Sequence, residues 1–502
     1  MRTKQAFKTG AVALLTAVTL WPAAASATTT RVYTLGAMNR FIVDDSNRWL
    51  YPHMITKFGN LFYVELFGGS PSQTTSAPGS NRQAAANGNT NVAVHSLDIA
   101  DTLPIQQSAG GGAIIAITDD LFVSMHLSDY EDPTVPQFLG FLAGSSQGDP
   151  STFGWIPNAA PDAPASSNRK YDLFLAYNVQ DLARFGLQLS YGSSKYKRTP
   201  NDNDPDVPAD LQGGVENRKT DSIGVSDFGF LLGAGLDLGD SATIDVGLGM
   251  NFYSLGYSPN ERDDLIEGGG GYSLQADVRA IIGVSEMWEV VPALSFRMGK
   301  MTAADLANYG NGLIYNEDDT REKYFITDVS QSRLLFDLGA AGHFKPTENI
   351  SFWGGAGFHL INLAQEYENG IADAPDSGEV RDQALEFSKQ SLSIDALPYI
   401  RIAMEARIFS WLDFRAGVVK YLRADTVTED AVDENNSDNN RLNDVTRDFP
   451  FFDYFIGAAV HYEGFFCDLQ LDPRWFQRGP ELISGGGGGN PMFVNASLGY
   501  NF

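Results

Sequence analysis

Apolar and polar residues alternate with a period of two along extended parts of this chain. Between residues 392 and 408, even-numbered positions carry apolar side chains or proline, whereas charged residues such as Asp395, Arg401 and Glu405 occupy odd-numbered positions. Successive side chains of a β-strand point to opposite faces, so this period indicates a strand and not a helix. The segment exceeds the usual strand of about 5–6 residues. It therefore offers one face to lipid and the other to water.

Other segments repeat this pattern, with apolar residues on one face and small or charged residues on the other. They cover residues 227–238, 243–252, 272–282, 333–343 and 492–502. Charges at so many alternate positions do not fit the core of a soluble protein, but they fit the wet interior of a transmembrane barrel. The sequence therefore predicts an all-β fold, an antiparallel transmembrane up-and-down β-barrel.

Short and long connections also alternate along the chain. Short turns are predicted at residues 180–183, 239–241, 283–286, 346–349, 410 and 463–464. Long polar stretches, which we expect to be loops, cover residues 130–169, 199–220, 303–330, 365–390 and 425–450. Short turns at one rim and long loops at the other are typical of outer-membrane barrels.

Counting the segments predicts about sixteen strands, with about fourteen as the alternative, since bacterial single-chain barrels have an even number. The strands are expected to begin near Leu61, Gly111, Leu121, Lys170, Arg184, Ser222, Ala242, Gly270, Met287, Ser332, Ile350, Ser391, Leu412, Phe451, Phe465 and Pro491. Aromatic residues at strand ends are candidates for the girdles that mark membrane–water interfaces. These candidates are Tyr253, Tyr257, Trp288, Trp353, Tyr421, Tyr454 and Tyr462.

The last predicted strand ends in an aromatic residue, Phe502. In this feature the chain resembles bacterial outer-membrane proteins, whose final aromatic residue is read by the barrel insertion machinery. The resemblance implies that Phe502 is the insertion signal and that the insertion machinery is a partner.

The first 27 residues have the layout of a secretory signal peptide. Basic residues Arg2, Lys4 and Lys8 precede an apolar run at residues 11–20, and the small residues 25–27 follow it. The apolar run is too short to cross about 30 Å of hydrocarbon as a helix. We therefore expect residues 1–27 to be removed and the mature chain to start near Thr28.

Composition excludes several classes of protein. The formal net charge is −27, so the surface will not attract nucleic acid, whose phosphates require basic residues. Cys467 is the only cysteine, which excludes disulfides and thiolate metal clusters. Beyond the leader, no run of about 18 apolar residues predicts a membrane-spanning helix.

Residues 28–58 differ from the barrel that we predict for residues 59–502. Apolar residues such as Leu35, Met38 and Phe41 occur there without sustained alternation. These side chains need cover, and the barrel lumen near the periplasmic rim is the nearest place that provides it. We predict that the segment plugs the lumen; a free periplasmic tail is the alternative.

The same segment carries a family resemblance. A Leu-Gly element at residues 34–38, an acidic Asp-Asp-Ser-Asn stretch at residues 44–47 and a later proline precede the first strand. This order resembles the N-terminal segment of the long-chain fatty acid transporter family, which carries hydrophobic compounds. The resemblance implies a hatch inside the barrel, with apolar ligands leaving sideways through the wall. The expected plug residues are Leu35, Gly36, Phe41, Val43, Asp44, Asp45, Asn47, Trp49 and Pro52.

Charged residues on the polar strand faces predict a lumen of mixed charge. The candidates are Asp277, Arg279, Arg297, Arg333, Asp337, Asp395, Arg401, Glu405, Arg407 and Arg415. One interpretation is that they pair across strands and fill the barrel, because buried charges must be paired. Another is that some line a path for polar solutes. An apolar ligand would instead contact Phe and Leu residues near the plug and at residues 136–143.

Enzymatic and metal-binding chemistry have little support. The His126-Leu127-Ser128 spacing is similar to that of outer-membrane phospholipase A. However, His126 and Ser128 lie on the polar face of their strand, which predicts that they face the lumen. Nothing in the sequence orients the histidine as a base. The acidic stretches 201–206 and 433–438 lack the spaced ligands of a dedicated calcium loop. We expect no enzyme activity, no metal and no cofactor.

These patterns together predict a barrel in the outer membrane of a Gram-negative bacterium, in contact with its lipids and lipopolysaccharide. The favoured function is transport of hydrophobic, fatty-acid-like molecules through a plugged barrel. The alternatives are a general diffusion porin for small polar solutes and a structural or adhesive barrel.

Overall fold

The computed structural model describes the chain from Thr28 onward, with gaps. The described residues are 28–36, 38–67, 109–129, 165–179, 182–198, 221–258, 266–304, 313–315, 321–373, 386–433, 441–471 and 493–502. The predicted signal peptide, the loop at 136–143 and the acidic stretch 201–206 lie outside these residues, as do residues 434–438 of the second acidic stretch. In the described part, no helix has the length and apolar character needed to cross a membrane.

Among the described residues, three short helical elements precede the first strand, and strands make up most of the rest. The helical elements are α1 at Thr29–Thr34 and the 3-10 helices η1 at Asp45–Trp49 and η2 at Pro52–Lys57. The first eight strands are β1 Leu61–Phe67, β2 Ala109–Ala116, β3 Leu121–Ser128, β4 Ala165–Val179, β5 Ala183–Arg198, β6 Asp221–Asp237, β7 Ala242–Ser258 and β8 Ile266–Ser285. The others are β9 Trp288–Ala304, β10 Leu313–Tyr315, β11 Arg321–Thr347, β12 Ile350–Asp373, β13 Glu386–Phe409, β14 Leu412–Asp433, β15 Arg441–Tyr462, β16 Phe465–Leu471 and β17 Phe493–Asn501.

The strands form one closed antiparallel barrel. Each barrel strand pairs with its neighbours in chain order, and β1 pairs with both β2 and β17, which closes the sheet. The three-residue β10 pairs with the N-terminal end of β11, while β11 itself pairs directly with β9. Of the 17 strands in the sheet, β10 is therefore an appendage and sixteen close the barrel. The prediction of an antiparallel up-and-down barrel with sixteen strands is confirmed, and fourteen is excluded.

The predicted short turns are confirmed, but four predicted loops are partly strand, since β4 already begins at Ala165, inside the stretch 130–169. Strand β11 begins inside the stretch 303–330, β12 and β13 extend into 365–390, and β14 and β15 extend into 425–450. The β14–β15 register continues through Thr426↔Thr446 and Val427↔Val445. Backbone hydrogen bonds between strands do not require an apolar face, so the sheet extends past the part of the wall that alternation identifies.

The alternation at residues 392–408 does not run unbroken through β13. The register with β14 shifts between Ala396 and Tyr399, and the register with β12 shifts at the same place. A bulge of this kind adds one residue to a strand and exchanges its two faces. The prediction of unbroken alternation over the whole segment is therefore wrong, and the described side chains begin at Pro398. Beyond the bulge, Ile400 and Ile402 are exposed, while Tyr399 and Arg401 are buried.

The outer surface of the barrel is apolar and carries aromatic rows. Five exposed aromatic residues lie side by side in register across β4 to β8: Tyr171, Tyr191, Phe228, Phe252 and Tyr272. At the end with short turns, exposed aromatic residues include Trp288, Trp411, Tyr462, Phe465 and Phe502. Aromatic residues in two bands with aliphatic residues between them are the surface expected of a transmembrane barrel.

The predicted girdle residues have different positions in the structure. Trp288 and Tyr462 are exposed on the outer surface, as predicted. The prediction is wrong for Tyr253 and Trp353, which are buried inside the barrel, where Trp353 stacks on His343 at a centroid distance of 4.5 Å. Tyr454 is half-buried, and the side chains of Tyr257 and Tyr421 lie outside the described set. Alternation around these residues does not distinguish an aromatic side chain that packs inward from one that faces lipid.

Candidate functional site: the N-terminal segment inside the barrel

The described residues between Thr28 and Asn60, here called the inner segment, lie against the inner face of the wall. Helix α1 contacts β14, β15, β16 and β17, whereas η2 contacts β3, β4, β5 and β6. Nearly every residue from Thr28 to Ile55 that the structure describes is buried, including five arginine and aspartate side chains. Because the outward residues of the same strands are exposed, this burial places the segment inside the barrel.

Glycines in the wall allow the inner segment to approach the strands closely. A Cβ atom at Gly247 would collide with the carbonyl oxygen of Leu50, and one at Gly186 with the backbone nitrogen of His53. On the opposite wall, a Cβ at Gly417 would collide with the backbone nitrogen of Gly36. The backbone of the inner segment therefore packs directly on the backbone of several wall strands. The wall is shaped to hold this segment in one position.

One chain of ion pairs ties α1 to three wall strands. Arg31 contacts Asp44 at 2.9 Å and both oxygens of Glu405, at 3.0 and 2.7 Å. Arg415 joins the same Glu405 at 2.7 Å to Asp468 at 2.5 Å. Bidentate guanidinium–carboxylate pairs are the geometrically specific form of this contact. They fix the start of the inner segment relative to β13, β14 and β16.

A second group of charges holds the middle of the segment. Arg40 pairs with Asp337 of β11 at 2.7 Å. The same carboxylate accepts the Tyr399 hydroxyl at 3.0 Å and contacts Nδ1 of His359 at 2.8 Å. Nearby, Arg401 donates to the carbonyl oxygen of Gly36 at 3.3 Å. Asp337 is therefore a buried carboxylate with three partners, one of which, Arg40, belongs to the inner segment.

A third group holds the end of the segment to β7 and β8. Asp245 contacts Nε2 of His53 and Nε of Arg279, each at 2.8 Å. Arg279 also donates to the carbonyl oxygen of Ile42 at 3.2 Å and lies over the ring of Tyr51 at 4.7 Å. Both wall residues are fully buried. This contact links two separate parts of the inner segment through one wall arginine.

Apolar contacts complete the interface. Leu35, Met38, Phe41 and Ile42 pack against an apolar part of the inner wall. The wall residues in this cluster are Val291, Ala293, Ala341, Trp353, Tyr399, Ala403, Val419 and Phe455. On the other side, Trp49 packs edge-on against Phe174 and His126. The inner face of the barrel is therefore not uniformly polar.

The predicted plug residues are brought together, with one exception. Leu35 and Phe41 belong to the apolar cluster, Gly36 adopts a φ of +74°, and Trp49 and Pro52 contact the wall. Asp44 and Asn47 form a capping box that starts η1, and Asp45 pairs with Arg48 at 2.9 Å. Val43 is the exception, since 39% of it is exposed. The apolar character of Val43 gave no indication of which way it points.

Most of the predicted lumen charges are inside the barrel and paired. Arg279, Asp337, Arg401, Glu405 and Arg415 contact the inner segment or its partners as described above. Asp277 pairs with Arg297 at 3.1 Å. Arg407 pairs with Asp413 at 2.9 Å near a short turn, and its side chain is 38% exposed. The side chains of Arg333 and Asp395 lie outside the described set.

Several important residues were missed at the sequence level. They are Arg31, Arg40, His53, Asp245, His359 and Asp468. One signal was present, since the inner segment contains three arginines within 18 residues: Arg31, Arg40 and Arg48. Three buried cations require buried carboxylates as partners. That signal points to a charged interface, but the partners lie up to hundreds of residues away and leave no local pattern.

His126 occupies a structural position in the barrel interior. It is fully buried, its Nδ1 lies 2.8 Å from the Tyr63 hydroxyl, and its ring stacks on that of Tyr63. Because His126 lies between Tyr63 and Trp49 inside the barrel, it faces away from lipid. This position agrees with the prediction that it lies on the polar face of β3.

Comparison with known proteins gives little further information. No protein-family model and no curated protein matches this sequence. Among solved structures, a FadL homologue from Pseudomonas aeruginosa is 10% identical, with a TM-score of 0.37 over 95% of this chain and 98% of that chain. The ferric-catecholate import receptor Fiu from E. coli K12 is 9% identical, with a TM-score of 0.33 over 78% and 71%. The siderophore receptor PirA from Acinetobacter baumannii is 9% identical, with a TM-score of 0.28 over 88% and 80%.

Proposed function

We propose that this protein is an outer-membrane transporter for hydrophobic small molecules and that the inner segment is its plug. A closed barrel has no unpaired strand edges, and its apolar outer surface with aromatic bands suits a bilayer. The predicted signal peptide and the terminal Phe502 support export and insertion into the outer membrane. Lipids, lipopolysaccharide and the insertion machinery are the expected partners.

The anchoring of the inner segment is the observation that carries the proposal. Three separate groups of buried charge, at Glu405, Asp337 and Asp245, hold it to strands on different sides of the barrel. A segment held at both ends and in the middle obstructs the lumen continuously. This arrangement argues against a general diffusion porin, whose lumen is a permanent aqueous channel.

The apolar part of the inner wall supports a hydrophobic substrate. Val291, Val419 and Phe455 face inward, where a barrel for polar solutes would carry polar residues. The inner segment covers these residues with Leu35, Met38 and Phe41. A displacement of the segment would uncover apolar wall, which a hydrophobic molecule would bind and water-soluble solutes would not.

The test compares two classes of solute in one preparation. Purified protein in proteoliposomes should accelerate entry of a fluorescent long-chain carboxylic acid over protein-free vesicles, and should leave the osmotic swelling rate in sugars and amino acids unchanged. Substituting Val419 and Phe455 with serine should reduce uptake of the acid. Swelling at the rate of a general porin, with no acceleration of fatty-acid entry, would establish the porin alternative.

A further inference from the structure

We infer that the α-ammonium group at the mature N-terminus, Thr28, is a buried structural cation that completes the ion-pair chain of the barrel interior. The inference rests on the predicted removal of residues 1–27, and it does not depend on what the barrel transports. Removal of the leader would thus supply a charge that the folded barrel needs.

Thr28 is buried inside the barrel, against the wall. It is 1% exposed, and its Oγ1 donates to Oδ2 of Asp468 at 2.6 Å. The next backbone nitrogen, of Thr29, donates to Oε1 of Glu65 at 3.1 Å. Standard bond lengths then place the Thr28 nitrogen no more than about 7 Å from either carboxylate. A charge on that nitrogen would act at short range in a medium of low dielectric constant.

The ion-pair chain beside Thr28 has an excess of negative charge. Within the described residues it runs from Asp44 through Arg31, Glu405 and Arg415 to Asp468. It therefore contains three carboxylates and two guanidinium groups. A carboxylate buried without a compensating cation is strongly destabilising, so a third cation is expected at one end of the chain.

The α-ammonium of Thr28 is placed to be that cation. It lies at the Asp468 end of the chain, where Thr28 already contacts the carboxylate. The first turn of α1 itself weakly disfavours a positive charge. Two nearby buried carboxylates outweigh this effect. The same nitrogen inside an uncleaved chain would be a neutral amide and would leave the excess negative charge in place.

A stability cycle tests the sign of the charge at Thr28. The first variant inserts two alanines after Ala27, which moves the α-ammonium by about 7 Å; mass spectrometry of the intact purified protein confirms each start site. The second is Asp468→Asn. With the ammonium present, Asp468→Asn leaves the ion-pair chain with excess positive charge and should destabilise the barrel. The folded barrel and the unfolded protein migrate differently on a detergent gel. The temperature at which the folded band is replaced by the unfolded band should therefore fall. In the insertion background the same substitution should have little effect or raise that temperature.

A matched control and a chemical readout separate this result from general damage. Asp245→Asn removes a buried carboxylate elsewhere, so its effect should add to that of the insertion. Acylation by an amine-reactive reagent should spare the Thr28 amine of the folded wild type and modify it after heat unfolding. In the folded insertion variant the reagent should modify the α-amine of the inserted alanine. A mature start several residues from Thr28 would overturn the inference. So would rapid acylation in the folded state, or an Asp468→Asn effect that is the same in both backgrounds.

Discussion

Glycines set how closely the inner segment approaches the wall, and they make the first residue-scale prediction. Gly247→Ala should place a Cβ against the carbonyl oxygen of Leu50, because main-chain atoms cannot rotate away. We expect a loss of about 1–3 kcal/mol in unfolding free energy, as for other overpacked interiors. Chemical unfolding in detergent, followed by tryptophan fluorescence, measures it. Gly354→Ala is the control, since a Cβ there meets nothing within 4 Å; equal losses in both variants would contradict close packing of the segment.

A second residue-scale prediction concerns the pairing of buried charge. Asp245→Asn leaves the Arg279 guanidinium buried without its carboxylate and weakens the contact with His53. Removing one partner of a buried pair costs about 3–5 kcal/mol, so the same unfolding assay should show a large loss. Glu289→Gln, whose side chain is one-third exposed beside Lys345, should cost less than about 1 kcal/mol. A small loss of unfolding free energy for Asp245→Asn would contradict this prediction and would show that water solvates the Arg279 guanidinium in place of the carboxylate.

At the scale of elements, the proposed function requires the inner segment to move. The hydroxyl oxygens of Thr30 in α1 and Ser497 in β17 lie 2.6 Å apart, so cysteines at both positions are close enough to form a disulfide. In a Cys467→Ser background, Thr30→Cys with Ser497→Cys should reduce uptake of the fluorescent acid when oxidised and restore it when reduced. Each single cysteine variant is the control. Full uptake by the oxidised, fully cross-linked protein would show that α1 stays in place during transport.

Elements with an alternating apolar face were predictable, and those without one were not. Strands β1, β3, β7, β12, β14 and β16 begin at the predicted residues. The bulge at Ala396 was not predictable, because a bulge is defined by register with neighbouring strands and not by local composition. The polar extensions of β11 to β15 were also missed. Beyond the apolar part of the wall, the sequence of a strand and that of a polar loop do not differ in periodicity.

The candidate site was predictable only in outline. Apolar residues without alternation located the inner segment, and alternate charges located much of the lumen. Which charges pair was not accessible, because Arg31 and Glu405 are 374 residues apart. The wall glycines are also uninformative in sequence, since glycine is common in this chain. Their role becomes apparent only when the segment they accommodate is in place.

At the scale of the whole molecule, a continuously paired wall surrounds an inner segment that is held by different contacts. The wall is held by continuous backbone pairing around sixteen strands, which does not involve the inner segment. The segment is held by side-chain charges, glycine contacts and one apolar cluster. A barrel of this size without the inner segment would be wide enough for an aqueous channel. The wall should therefore survive deletion of the segment, although the charges left behind would destabilise it.

Single-channel recording in planar bilayers tests the central claim, that the inner segment closes the lumen. We predict that the full-length mature protein gives no steady current and that deletion of residues 28–57, with the leader retained for export, gives stable open channels. Heat-modifiable mobility on gels verifies that the deletion variant has formed a barrel. A steady current through the full-length protein, unchanged in the folded deletion variant, would contradict the account.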